Sequence, residues 1–206
     1  MKKTIALCPL LFALCACGGT KVIDTDDKGE VAGMSHVMEL EFRDWENTAE
    51  IMTKSMISGG VLPTGQRTVV AIGRITNDTM QRFDTDILIK KIRATLVGSG
   101  RVQVTTALPS GGVAEDMTTH NVRDLRENAE WDTGMIAQTG TLIAPTMSMS
   151  GKMLQRNLAL ETCWLCARKE RVEYYLQLTL TEVKTGLSVW EGEQPIIKEG
   201  RNAPTW

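Results

Sequence analysis

The chain has 206 residues, enough for one domain of ordinary size, which excludes a large multidomain enzyme. Its 42% hydrophobic and 23% charged residues supply a core and exclude a disordered chain. The 23 basic and 25 acidic side chains give a formal charge of -2, no field for holding nucleic acid, and two histidines and five cysteines leave little material for a metal centre or a histidine-based triad.

The first segment reads as a processing signal. Lys2 and Lys3 precede a short apolar stretch, residues 5–14, which at about 1.5 Å per residue cannot cross a hydrocarbon core of about 30 Å. It closes with Leu14-Cys15-Ala16-Cys17, similar to the bacterial lipobox, in which the last cysteine is acylated and becomes the mature N-terminus. Residues 1–16 are therefore expected to be a lipoprotein signal peptide and Cys17 the site of lipid attachment. The alternative, an ordinary secretory cut after Ala16, leaves Cys17 as an exposed reactive thiol. Gly18 stands where inner-membrane-retained lipoproteins carry aspartate, which favours the outer membrane with the domain facing the periplasm. Residues 17–37, with several glycines and aspartates and no sustained periodicity, read as a tether reaching roughly 25 Å as a flexible coil.

Residues 38–206 read as one domain. Asp44 is placed to cap a helix running to about Ser58, with Trp45, Ala49, Met52 and Met56 at helical spacing and Gly59-Gly60 ending it. Residues 68–75 (TVVAIGRI) form a strand, and Asn77 and Asp78 are expected to turn the chain. Asp84 or Thr85 caps a second helix, on which Leu88, Ile92 and Leu96 recur every four residues, and Gly98 and Gly100 terminate it. Residues 101–106 alternate as a strand. A third helix is expected from about Asn121 to Trp131, with Val122, Leu125 and Ala129 on one side.

The last third alternates strictly: Met147, Met149 and Met153 with Ser148, Ser150 and Lys152, then Val172, Tyr174, Leu176, Leu178 and Leu180 with polar neighbours, the period of a sheet buried on one face. Lys184-Thr185-Gly186 turns the chain into a final strand beginning near Leu187. The fold class is α/β: one compact domain, a mixed sheet of about four strands flanked by helices and closing with an antiparallel hairpin.

Two motifs invite a chemical reading. A Lys-Thr-Gly triplet lines the active site of serine penicillin-binding enzymes, but no serine here has lysine three residues later, so Gly186 reads as a hairpin turn. Cys163-Trp164-Leu165-Cys166 lies in a polar stretch, residues 157–171, between strands rather than at the start of a helix. A loop disulfide, two unpaired thiols, and a redox or metal pair all remain open there. One Cys-x-x-Cys supplies two ligands and neither His36 nor His120 is placed to complete zinc coordination, so no metal and no cofactor are expected. The short basic patches at Lys90, Lys91 and Arg93 and at Arg168, Lys169 and Arg171 read as solvated faces.

Taken together, the chain resembles the LpoB-type outer-membrane lipoprotein activators of penicillin-binding proteins. The resemblance rests on the lipobox ending at Cys17, Phe42-Arg43-Asp44-Trp45, residues 68–77 (TVVAIGRITN), the helix at 87–101 with its glycine turn, Ser150-Gly151-Lys152, and residues 175–190 (YLQLTLTEVKTGLSVW). It implies a domain related to those of TolB and CsgG, and a non-enzymatic regulator without a small-molecule substrate. The implied partner is a class A penicillin-binding protein, which it activates to stimulate peptidoglycan synthesis. The tether is short and proline-free, which also suits a structural lipoprotein of an envelope or secretion assembly of the CsgG kind, the alternative function.

Overall fold

The computed structural model describes residues 38–63, 65–108, 116–160 and 169–200. The lipobox residues Leu14, Cys15, Ala16 and Cys17, and the pair Cys163 and Cys166, lie outside them. The architecture is the expected mixed α/β domain, with five strands in the sheet.

The first helix, α1 (Phe42–Ser58), begins two residues before Asp44. Asp44 stands at the third position, where its carboxylate accepts the Glu41 backbone N–H at 2.8 Å, one half of a capping box. The expected stripe Trp45, Ala49, Met52 and Met56 is buried. The last turn of α1 carries no basic residue. The Arg101 guanidinium takes that role from a distance, donating to the carbonyls of Ile57 and Leu62 at 3.2 Å each.

Strand β1 (Thr68–Asp78) continues through Asn77 and Asp78, where a turn was expected. Its pairing slips between Ile72 and Ile75, so the buried set runs Val70, Ile72 and then Ile75. That bulge restores the inward phase and lets the strand run on. Asn77 still shapes the turn that follows: its Oδ1 accepts from Thr79 Oγ1 at 2.7 Å, and its Nδ2 donates to the Gln81 carbonyl at 2.9 Å.

Helix α2 (Thr85–Gly98) is capped by Asp84, whose Oδ1 accepts from Asp86 N at 2.9 Å, and buries Leu88, Ile89, Ile92 and Leu96. A short β2 (Val102–Val104) follows. Helix α3 (Thr118–Asp124) has no buried residue and passes into a single 3-10 turn, Leu125–Glu127. The expected helix to Trp131 is thus cut short: Asn128 leaves helical geometry at φ -103, and its side chain accepts from Glu130 N at 3.0 Å.

Strands β3 (Met147–Leu160), β4 (Lys169–Glu182) and β5 (Ser188–Gly200) form the antiparallel part of the sheet. The order is β2-β1-β3-β4-β5, with β1 parallel to both β2 and β3. β3 and β4 pair without interruption from Met147 opposite Glu182 to Leu160 opposite Lys169, so the polar stretch between the strands shrinks to residues 161–168. At the other hairpin Gly186 has φ +72 and its N–H donates to the Glu182 carbonyl at 2.8 Å, the turn expected there.

The core lies between one face of the sheet and the helices. Met149, Met153, Val172, Tyr174, Leu176 and Leu180 are buried from the sheet side, Leu88, Ile92 and Leu96 from α2. The other face carries the alternate residues of the same strands, such as Ser150, Lys152, Gln177 and Glu193, and is polar.

Candidate functional site

The first described residues, 38–40, are held at one end of the sheet. Tyr174, buried in β4, donates its hydroxyl to the Met38 carbonyl at 3.2 Å. Gln81 clamps the backbone of Leu40 from both sides, its Oε1 accepting from Leu40 N at 2.8 Å and its Nε2 donating to the Leu40 carbonyl at 3.2 Å. Lys198 in β5 pairs with Asp44 at 2.6 Å, the two side chains 13% and 20% exposed, and donates to the Glu39 carbonyl. Burial, with Glu39 and Asp44 nearby, raises the Tyr174 hydroxyl well above the ordinary phenol range. Residues 38–40 are therefore part of the fold.

The open sheet face carries ordinary surface chemistry. Lys152 pairs with Asp78 at 2.7 Å, Gln177 donates to Glu193 at 2.8 Å, and Arg171 Nε donates to Glu199 at 2.8 Å. The Tyr175 hydroxyl donates to Glu173 at 2.6 Å, and that bond raises its pKa. Two shallow hollows sit on this domain, one lined by Asp78, Thr79, Met80, Gln155 and Asn157, the other by Gln177, Thr179, Glu191 and Glu193 among others. His120 is half-buried with Nε2 at 2.7 Å from the Ala107 carbonyl. Among the described residues no three His, Cys, Asp or Glu side chains group to hold a metal. Lys91 faces Glu46 at 3.5 Å.

The feature that sequence reasoning missed is the segment from α3 to β3. It was read as a helix running to Trp131; instead Trp131 is 54% exposed, Met135 86% and Ile143 69%. Sequence offers one signal for it, large apolar residues at 131, 135, 142 and 143 with no helical or strand period.

The comparisons with known proteins bear on the whole domain. A family model described as "Peptidoglycan-synthase activator LpoB" matches residues 44–196. No curated protein matches the sequence. Similar solved structures include the LpoB C-terminal domain from Escherichia coli, at 12% identity and a TM-score of 0.41 over 74% of this chain and 98% of that one. The LpoB C-terminal domain from Salmonella enterica gives 12% identity and a TM-score of 0.43 over the same shares of 74% and 98%. Lipoprotein GNA1162 from Neisseria meningitidis gives 10% identity and a TM-score of 0.34 over 67% of this chain and 88% of that one.

Proposed function

We propose, from the premise that the chain belongs to the LpoB family of peptidoglycan-synthase activators, that it is a non-enzymatic lipoprotein of the outer membrane. Its domain faces the periplasm, binds a class A penicillin-binding protein and stimulates glycan polymerisation. The observation that carries this reading is the extent of the family match, residues 44–196, which runs from the first turn of α1 to Ile196 in β5 and so takes in every helix and strand between them. Activation of this kind needs no chemistry from the activator. The binder shifts its partner toward an active state by as much as its affinity for that state exceeds its affinity for the inactive one, and tenfold preference corresponds to about 1.4 kcal/mol.

Two parts of the chain serve this role from outside the described residues. Cys17 is the lipid-bearing residue and the tether to residue 37 sets the working radius of the domain; several acyl chains give lasting attachment where one gives only marginal binding. Cys163 and Cys166 form a disulfide that closes the β3–β4 hairpin. An oxidising compartment supports this pairing, since with Cys17 acylated these are the two thiols left in the mature chain. Mass analysis of the non-reduced peptide carrying both cysteines tests it, a mass two hydrogens heavier meaning free thiols.

Crosslinking in living cells, followed by identification of the captured protein, tests the function. Capture of a class A penicillin-binding protein supports it. A stable ring made of this chain, or capture of a secretion-channel component, overturns it in favour of a structural role.

A further inference from the structure

We propose that residues 116–146 form the surface on which the partner docks, and that the partner face they fit is apolar at its centre and basic at its rim. The inference rests on the reading above that the partner is a peptidoglycan synthase, and adds where and by what chemistry it is held.

Trp131, Met135, Leu142 and Ile143 are 54%, 86%, 45% and 69% exposed, four large apolar side chains on one connection, whereas the exposed apolar residues of α1, α2 and β5, Ile51, Ile87, Val97 and Ile197, are scattered over separate elements. Large apolar side chains left out of a well-filled core, with tryptophan and methionine among them, have the composition of an interface centre. They stand on a backbone that holds itself: Trp131 N donates to the Asn128 carbonyl at 3.2 Å and Met135 N to the Asp132 carbonyl at 3.1 Å. Arg126 Nε donates to the Ala137 carbonyl at 3.0 Å, Thr141 Oγ1 to the Gln138 carbonyl at 2.8 Å, and Ile136 is buried at 6% exposure. Little ordering is left to offset on binding. Long connections of this kind that make their own contacts are commonly functional.

Charge selects the occupant. Asp116, Asp124, Glu127, Glu130 and Asp132 are exposed, whereas the two arginines of the segment are half-buried and bonded within it, Arg123 to the Thr119 carbonyl and Arg126 to that of Ala137. An acidic rim attracts a basic partner face. It disfavours a second copy of this chain, which would set one acidic rim against another. It disfavours the tether as well, whose Asp24, Asp26, Asp27 and Glu30 outnumber Lys21 and Lys28. An anionic lipid surface is repelled in the same way. The placement agrees: the segment returns to the sheet at Thr146, whose N–H donates to the Val69 carbonyl. The Met38 contact at Tyr174 is level with Gln155, nine residues or about 30 Å further along the chain.

The test titrates the full chain in detergent against the purified class A synthase of the same cell. Trp131→Ala with Ile143→Ser weakens binding about tenfold or more. Glu130→Lys with Asp132→Lys weakens it and reduces its salt dependence, and Lys54→Ala on the exposed side of α1 changes nothing. Unaltered thermal midpoints show that the variants fold. If the unaltered chain binds and all variants bind equally well, the docking site is overturned while the proposed function stands. If the unaltered chain does not bind, the proposed function falls. Self-association, or binding to phosphatidylglycerol vesicles, that is lost in Trp131→Ala overturns the assignment of the partner.

Discussion

Replacing Gly151 by alanine should destabilise the domain although it adds one methyl group and favours β-structure locally. Gly151 lies opposite Leu178 in the middle of the β3–β4 pairing. A Cβ built there meets Leu178 Cδ2 at 2.5 Å and the Gln177 carbonyl oxygen at 2.6 Å. The leucine could rotate, but it is 2% exposed and packed, and the carbonyl belongs to the neighbouring strand's backbone. Relief requires β3 and β4 to separate by several tenths of an ångström where both are held by their pairing. Overpacking of this kind costs about 1–3 kcal/mol, and the smaller unfolded-state entropy of alanine returns about 0.4–1 kcal/mol of it. The net loss is centred on about 1.3 kcal/mol, a fall of about 3–5 °C in the thermal midpoint for a domain of this size. Circular dichroism melting of the two proteins reads it directly. A midpoint equal to or above that of the unaltered chain would falsify the close approach of the two strands.

Lys198→Ala should cost about 1–3 kcal/mol, because it leaves a mostly buried Asp44 and the Glu39 carbonyl without their partner, and should speed amide exchange at residues 38–40 relative to β3; unchanged exchange there contradicts the latch. The chain's two tyrosines, Tyr174 and Tyr175, both have raised pKa values, the first by burial and the second by its bond to Glu173. Phenolate absorbance should therefore rise later than in the urea-unfolded chain, whose phenols titrate near pH 10. A raised folded-state pKa means the associated stability is fully present below about pH 10 and lost above it. Coincident titration of the folded and unfolded chains refutes both environments. Cys17→Ala should abolish incorporation of labelled fatty acid and leave the melting of the domain unchanged; retained label refutes the anchor.

The parts of the fold governed by local period were legible in the sequence. Alternation marked Val172 to Leu180, spacing of four marked Leu88, Ile92 and Leu96, and Gly186 marked its turn because positive φ is a local demand. What was not legible depends on partners far along the chain. β1 runs past Ile75 because a bulge resets its phase against β3, and β5 extends to Gly200 because the long β4 offers it a template. The first described residues join Leu40 to Gln81 and Met38 to Tyr174, pairs that no window of sequence contains. The end of the third helix, expected near Trp131, was not legible for a related reason. Val122, Leu125 and Ala129 have helical spacing, but the helix has no apolar face to bury them against, and Asn128 offers its own backbone turn. The lipobox at Cys17 and the pair Cys163 and Cys166 lie outside the described residues, and the proposals made for them rest on sequence motif.

The central claim is activation of a synthase, and the most direct measurement is the rate of glycan polymerisation by the purified class A penicillin-binding protein of the same cell, with and without a saturating amount of the full chain. A severalfold rise that depends on this chain, and that survives in Cys17→Ala protein mixed freely with the enzyme, is the predicted result. An unchanged rate at concentrations where the two proteins are shown to bind contradicts it.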